Sequence, residues 1–310
     1  MAVTRRALLL GSAALWIAGC DDNPAPAPRE LRIATGPPGA VYREIGATLA
    51  RVLAERFPAA EVRTIPTGAS VDNLRLLHER GTDLAFASID ATVAGLAAGV
   101  PRSTTAIARL YDSFIQLVAR EDGPINTLAD LHGRTVSVGA AGSGTEFTTA
   151  RILRLNRSVQ PRTIVMDQAA SAKALVAKKI DAFFTLTGIP TPAITGLLSK
   201  VRLRLIPLGG KLVERMNLAY AELYAPATIA SSAYPGIPAT ATMTVANLLL
   251  VQPEQDADVV QAITQTLFAE RARIARGHQE ANRINVRTGI ATSPVPLHPG
   301  AVRYYRAVKR

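Results

Sequence analysis

Small residues recur wherever an apolar run of this chain ends. "TGPPGAVY" follows the run 31–35, "TGAS" follows 61–66, and "SID" follows 83–87. "AAGSGTE" follows 134–139, and "TGIP" follows 181–186. Glycine lets a backbone approach a guest closely and turn its N–H groups inward. A helix start adds amides without acceptors and about half a positive charge. Ser143 and Thr145 add hydroxyls. A single turn of this composition is ordinary loop chemistry. Five of them, spread over both halves of the chain, describe a cradle for a carboxylate or phosphate.

Other chemistries find less support. No lysine follows the glycines at 142–144, so this is not a Walker A loop. The order Gly139, Gly142, Gly144 does not fit a dinucleotide fingerprint, and Gly142 directly before Ser143 does not fit G-x-S-x-G. His78, His132, His278 and His298 are scattered without metal-ligand spacing, so no metal site and no cofactor is expected. Asp90 and Glu146 could sit at the site, and an exported hydrolase using Ser143 stays open as an alternative. Cys20 is the single cysteine, which excludes an internal disulfide and cysteine catalysis.

Alternating strands and helices must position these turns. "LRIAT" reads as a strand, and Val41, Ile45, Leu49, Leu53 and Phe57 share one helix face. "EVRTIP" is a strand, Ser70 is the expected N-cap of the helix "VDNLRLLHER", and "DLAFAS" is a strand. A strand over 114–120 follows, with Thr127 and Asp130 as a capping box. The alternation then restarts: strand 134–140, helix 145–156, strand 162–166, helix 168–178, then strands "DAFFTL" and "VRLRLIPL". A long apolar strand over 242–252 precedes a helix carrying Val260, Ile263, Leu267 and Ile274. A final helix opens at Pro299. Such alternation implies an α/β fold with a parallel sheet and right-handed crossovers.

The first residues are read apart. Arg5 and Arg6 precede an uncharged apolar run that ends at Gly19–Cys20. The run is shorter than the roughly 20 residues a spanning helix needs, so residues 1–19 read as an export leader. Ile17-Ala18-Gly19-Cys20 resembles a lipobox, with Cys20 lipidated. Thr4 to Leu9 resembles a twin-arginine signal. Residues 20–30, rich in Pro and Ala, form a tether off the membrane. The chain has 35 basic and 24 acidic residues, an excess that survives loss of two leader arginines. Such a field suits anionic ligands or lipid headgroups. No aromatic-basic platform suggests nucleic acid.

Taken in order, "IATGPPGAVYREIGATLARVL", "TGASVDNLRLL", "DLAFASIDAT", "LADLHGRTVSVGAAGSGTEFTTARIL", "KKIDAFFTLTGIPTPAI" and "PLHPGAVRYY" resemble the TAXI family of solute-binding proteins, the receptors of TRAP transporters. The resemblance spans nearly all of 31–307. It implies a two-lobed type II periplasmic-binding-protein fold, with lobe I from 31–113 and 236–310 and lobe II from 114–235. Crossings are expected near 112–116 and 232–240, with a ligand cleft between hinged lobes. It implies no enzymatic activity, a periplasmic location, and delivery of a small carboxylate, of glutamate or 2-oxo acid type, to a membrane permease.

Carried over, the cleft is lined by Thr35, Gly36 and Tyr42, by Ser70 and Asn73, by Ser88 and Asp90, by Ser143, Gly144 and Thr145, and by Thr187 and Gly188. Pro37 and Pro38 replace more usual glycines, Arg43 and Glu44 follow the tyrosine, and Ala69 stands where glycine is usual. Arg43 is expected to point to solvent; facing the cleft, it would favour a dianion. A sensory role for the same fold is the other alternative.

Overall fold

The computed structural model describes residues 28–97 and 104–309. The expected leader, Cys20 and the tether up to residue 27 lie outside the described residues. A first unit runs β1 (Glu30–Ala34), α1 (Val41–Arg56), β2 (Glu61–Ile65), α2 (Ser70–His78), β3 (Leu84–Ser88) and α3 (Ile89–Ala97). The long strand β4 (Thr105–Arg120) leads to a second unit: β5 (Thr135–Ser137), α4 (Gly144–Leu155), β6 (Arg162–Ile164), α5 (Gln168–Val176) and β7 (Ala182–Thr187). Then come α6 (Pro192–Thr195), β8 (Leu203–Ile206), α7 (Lys211–Ala219) and β9 (Tyr224–Ile229). The chain closes with β10 (Thr240–Val251), α8 (Ala257–Ala269), α9 (Arg271–Ile274), α10 (Val286–Gly289) and α11 (Pro299–Val308).

The strand order is β2-β1-β3-β10-β4-β7-β5-β6. Read inward from the two ends it is β2-β1-β3-β10 and β6-β5-β7-β4, one arrangement used twice. In each half three parallel strands are closed by an antiparallel fourth. The restart seen in the sequence after about residue 120 is this duplication. The fold is mixed α/β with two lobes, and β4 and β10 run through both. They pair with each other from Thr105↔Val251 to Phe114↔Thr244. Beyond that point β4 pairs with β7 and β8, and β10 pairs with β9.

The change of pairing partner falls near Phe114 in β4 and near Thr244 in β10. Tyr234 and Ile237, which precede β10, are buried against Val118, Phe183 and Leu205. β4 also begins at Thr105, well before the expected 114. Arg109 and Asp112 break its apolar pattern, and they pair with each other at 2.7 Å.

The α1 stripe Val41, Ile45, Leu49, Leu53 and Phe57 is buried, as its spacing predicts, against Leu31, Ile33, Val260, Ile263 and Leu267. Each such side chain contributes about 1.5–3 kcal/mol by leaving water. Ser70 is the first residue of α2 and not its cap; Ala69 holds that place at φ 107°. A non-glycine residue there stores strain of about 1–3 kcal/mol. The Thr127–Asp130 box forms in half: Asp130 Oδ2 accepts from the Thr127 amide at 2.8 Å, opening a single 3₁₀ turn.

His298 caps α11, Nδ1 accepting from the Gly300 amide at 3.1 Å while Nε2 meets the Pro253 carbonyl at 3.2 Å. This arrangement needs a neutral ring, and burial lowers the imidazole pKa below its ordinary value. The unfolded chain then binds the proton more readily, so stability drops as pH falls through about 6.5. Thermal melts between pH 8 and 5 should show this loss, and His298→Asn, which still caps, should flatten the curve. An unchanged slope in the variant would assign the loss to other groups.

Candidate functional site

Parallel strands send their carboxyl ends, and the helix starts that follow, toward the boundary between the lobes. The first residues of α1, α2, α4 and α5 all reach one cavity there, through Val41, Ser70, Gly144 and Gln168. Water centres can range over about 40 Å³ within it. That is room for about three water molecules.

The N-terminus of α1 is the unusual part. Its N-cap, Ala40, offers no side-chain acceptor. Ala40, Val41 and Tyr42 are all buried. The Arg43 amide bonds the Ala40 carbonyl at 3.0 Å, but the Val41 and Tyr42 amides have no intrahelical acceptor by position. Buried amides of this kind need a partner. Across the cavity α4 is better supplied. Ser143 Oγ accepts from the Glu146 amide at 3.0 Å, and Glu146 Oε2 accepts from the Gly142 amide at 2.9 Å. The first two amides of α4, those of Gly144 and Thr145, again lack intrahelical acceptors.

The hydroxyls add directed donors. Ser70 Oγ accepts from the Ser88 amide at 3.1 Å, Thr145 Oγ1 from the Leu186 amide at 2.9 Å, and Ser113 Oγ from Asn247 Nδ2 at 2.8 Å. Each oxygen already accepts and keeps a proton to donate, that of Ser70 within hydrogen-bond reach of the Tyr42 hydroxyl. Thr187, 5% exposed, lines the same cavity and makes no side-chain hydrogen bond to a described residue. The cavity thus offers convergent donors to an acceptor that the protein does not supply.

Asn247 forms the floor, on the crossing strand β10. Its Nδ2 also donates to the Tyr111 carbonyl at 2.9 Å, and its Oδ1 accepts from the Tyr42 hydroxyl. The β4–β10 register shifts at this point, between Ala246 and Leu248. The bulge frees a carbonyl, and the asparagine amide satisfies it. Burial, with a smaller push from Asp90, raises the Tyr42 pKa well above that of a free phenol, so it stays a donor.

The lobes touch along one edge of the cavity. The Gly142 carbonyl accepts from the amides of Val71 at 2.9 Å and Asp72 at 3.1 Å, occupying donors of α2 from across the cleft. Room for this is made by glycine. A Cβ on Gly68 would collide with the Ala141 carbonyl oxygen, and one on Gly144 would lie 2.8 Å from Ser70 Oγ. Behind the edge, fully buried Asp90 accepts from Thr148 Oγ1 at 2.8 Å and from the Tyr224 hydroxyl at 2.9 Å. These bonds tie α3 of the first lobe to α4 and β9. Burial first, and Asp90 next, push the Tyr224 pKa up, which keeps that donor protonated.

Of the residues expected at the cleft, Tyr42, Ser70, Ser143, Gly144, Thr145 and Thr187 line the cavity. Six others stand back from it, for stated reasons. Thr35 Oγ1 donates to the Ile65 carbonyl at 3.1 Å, and Gly36 packs on Ala40 and Tyr42. Asn73 Nδ2 clips the carbonyls of Thr35 at 2.7 Å and Phe86 at 2.8 Å. Ser88 serves Ser70 through its amide, and Asp90 is spent on the inter-lobe tie. Gly188 gives way to Glu280, whose Cγ a Cβ there would meet at 2.6 Å. Arg43 does not line the cavity. Ser113, Gln168 and Asn247 do and were not anticipated. An asparagine inside the apolar run "VANLLLV" was the available signal.

The fold is the two-lobed fold of the periplasmic solute-binding proteins. Solved structures of similar fold include a putative L-cystine ABC transporter from Listeria monocytogenes, 10% identical, covering 84% of this chain and 98% of that one with a TM-score of 0.53. The P235GK mutant of ArgBP from T. maritima is 12% identical, with 83% and 95% covered and a TM-score of 0.51. The ligand-binding component of an ABC-type import system from Staphylococcus aureus, with zinc bound, is 12% identical, with 83% and 85% covered and a TM-score of 0.51. The chain belongs to the NMT1-like family, which matches residues 33–308.

Gly68→Ala tests the closed edge. The substitution should leave the circular dichroism spectrum unchanged while raising the radius of gyration in X-ray scattering, because the added methyl cannot share space with the Ala141 carbonyl. An unaltered radius would show that the contact does not set lobe separation.

Proposed function

We propose that this chain is an extracytoplasmic receptor that captures a small organic anion between its lobes and passes it to a membrane permease. The observation that carries this reading is the buried, uncapped start of α1 facing the first turn of α4 across a cavity rich in hydroxyl donors. A carboxylate there would complete the hydrogen bonds of both helix starts and gain from both dipoles. Closure would follow binding, because the ligand bonds groups from both lobes at once. The expected ligand-lining set becomes Tyr42, Ser70, Ser143, Gly144, Thr145 and Thr187, joined by Ser113, Gln168 and Asn247. Attachment to the membrane through lipidated Cys20 and a periplasmic location complete the proposal.

Delivery to a TRAP-type permease is supported by the TAXI-like motifs. A second reading, delivery to an ABC importer, is favoured by similar structures whose descriptions name ABC-type systems. A helix cap is the role Ser143 Oγ already fills, and among the described residues no histidine lines the cavity to activate it.

A thermal-shift screen of organic anions tests the receptor reading. A ligand at 100 times its Kd should stabilise the protein by about 2.7 kcal/mol. Silence across carboxylates, sulfonates and phosphates would contradict it. Uptake into membrane vesicles then separates the partners: an ion gradient drives a TRAP system, whereas ATP drives an ABC importer.

A further inference from the structure

Among the described residues the cavity wall carries no charged side chain: none of those lining it is Arg, Lys, His, Asp or Glu. Attraction for an anion must come from backbone amides, hydroxyls and helix dipoles alone. Of the four helix starts that reach the cavity, α2 already receives the Gly142 carbonyl and α5 the Asp167 carboxylate; those of α1 and α4, at about half a charge each, match one negative charge and not two.

The ground behind the wall works against a second negative charge. Asp72 Oδ2 accepts from the Gly68 amide at 3.0 Å, and Glu146 Oε2 holds the Gly142 amide at 2.9 Å. Asp90 lies close enough to raise the Tyr42 pKa. Asp72 and Glu146 thus bond amides of the two loops at the cavity edge, Asp72 with Arg75 at 4.0 Å, and Asp90 is buried behind them. Arg151, the cation nearest in bonding to Asp90, is separated from it by the Tyr224 hydroxyl at 3.0 Å. A second carboxylate on a ligand would leave water with no cation to receive it, and burial of an unpaired charge is costly.

Size and polarity narrow the guest further. Room for about three waters suits a carboxylate with a tail of a few carbons. Ala40, Val41, Ala69, Ala140 and Leu186 supply apolar wall for that tail. Gln168 lines the cavity and its Oε1 has no partner among the described residues, an acceptor for one hydroxyl of the tail. An α-ammonium group finds no carboxylate lining the cavity.

We propose that the ligand is a short monocarboxylate, unsubstituted or bearing one hydroxyl, and that the site discriminates against dicarboxylates and amino acids through the neutrality of its wall. This rests on the receptor reading above and narrows its ligand class, away from the glutamate or 2-oxo acid type that the family resemblance implies.

Calorimetric titration of the full mature chain tests it, with propionate, lactate, succinate, 2-oxoglutarate and glutamate as probes. Propionate or lactate should bind at least about tenfold tighter than any of the other three, a difference of about 1.4 kcal/mol. Succinate, 2-oxoglutarate or glutamate binding as tightly as the monocarboxylates would overturn the inference while leaving the receptor reading intact. No heat with any organic anion would overturn both. Gln168→Arg, at a half-buried position on the wall, is the second arm. It should shift preference toward succinate by about tenfold. Unchanged selectivity in a folded variant, judged by its melting curve, would show that wall charge does not set specificity.

Discussion

Everything about the site follows from backbone amides that the chain cannot satisfy by itself. A helix start leaves several N–H groups without intrahelical acceptors, and the usual remedies are a capping side chain or water. At α1 the cap is alanine and the start is buried. At α4 a serine cap satisfies one amide and leaves the first two. These two starts come from different lobes and meet at one cavity. The cost of leaving a buried donor unpaired, about 1–3 kcal/mol, is then available as binding energy for whatever supplies the acceptor.

The scaffold holds those starts in place without using charge. Asn247 binds the first-loop tyrosine, the bulged carbonyl of Tyr111 and Ser113 together at the point where β4 and β10 cross. Asn73 does the same for the ends of β1 and β3. Asp90 links the lobes through hydroxyls only. Polar groups that are fully paired in this manner hold a geometry, and those left half-paired mark where a guest belongs. Glycine at 68 and 144 then lets the two lobes come within contact along one edge.

Much of this was readable from the amino acids. The α1 stripe at four-residue steps is buried as spaced, and four of the five strand-end turns supply residues to one cavity, the exception being Ser88 to Asp90. The restart of the pattern is the duplicated sheet. What the residue types could not tell is which atoms are already committed. Asp90, Asn73 and Thr35 have the chemistry of ligand contacts, yet their hydrogen bonds hold loops. Ser113 lay just before the strand expected over 114–120, Gln168 looked like an ordinary helix residue, and Asn247 was hidden within an apolar run read only as a strand. The start of β4 was missed because Arg109 and Asp112 interrupt its hydrophobicity. The packing of Tyr234 and Ile237 against Val118, Phe183 and Leu205 is a tertiary choice that local pattern does not record.

Amide proton shifts test the central claim most directly. In a titration of the ¹⁵N-labelled protein with a binding anion, the amides of Val41, Tyr42, Gly144 and Thr145 should move downfield together and saturate with one constant, since one carboxylate bonds both helix starts. Shifts confined to one lobe, or two sets that saturate at different concentrations, would contradict a single guest shared between α1 and α4.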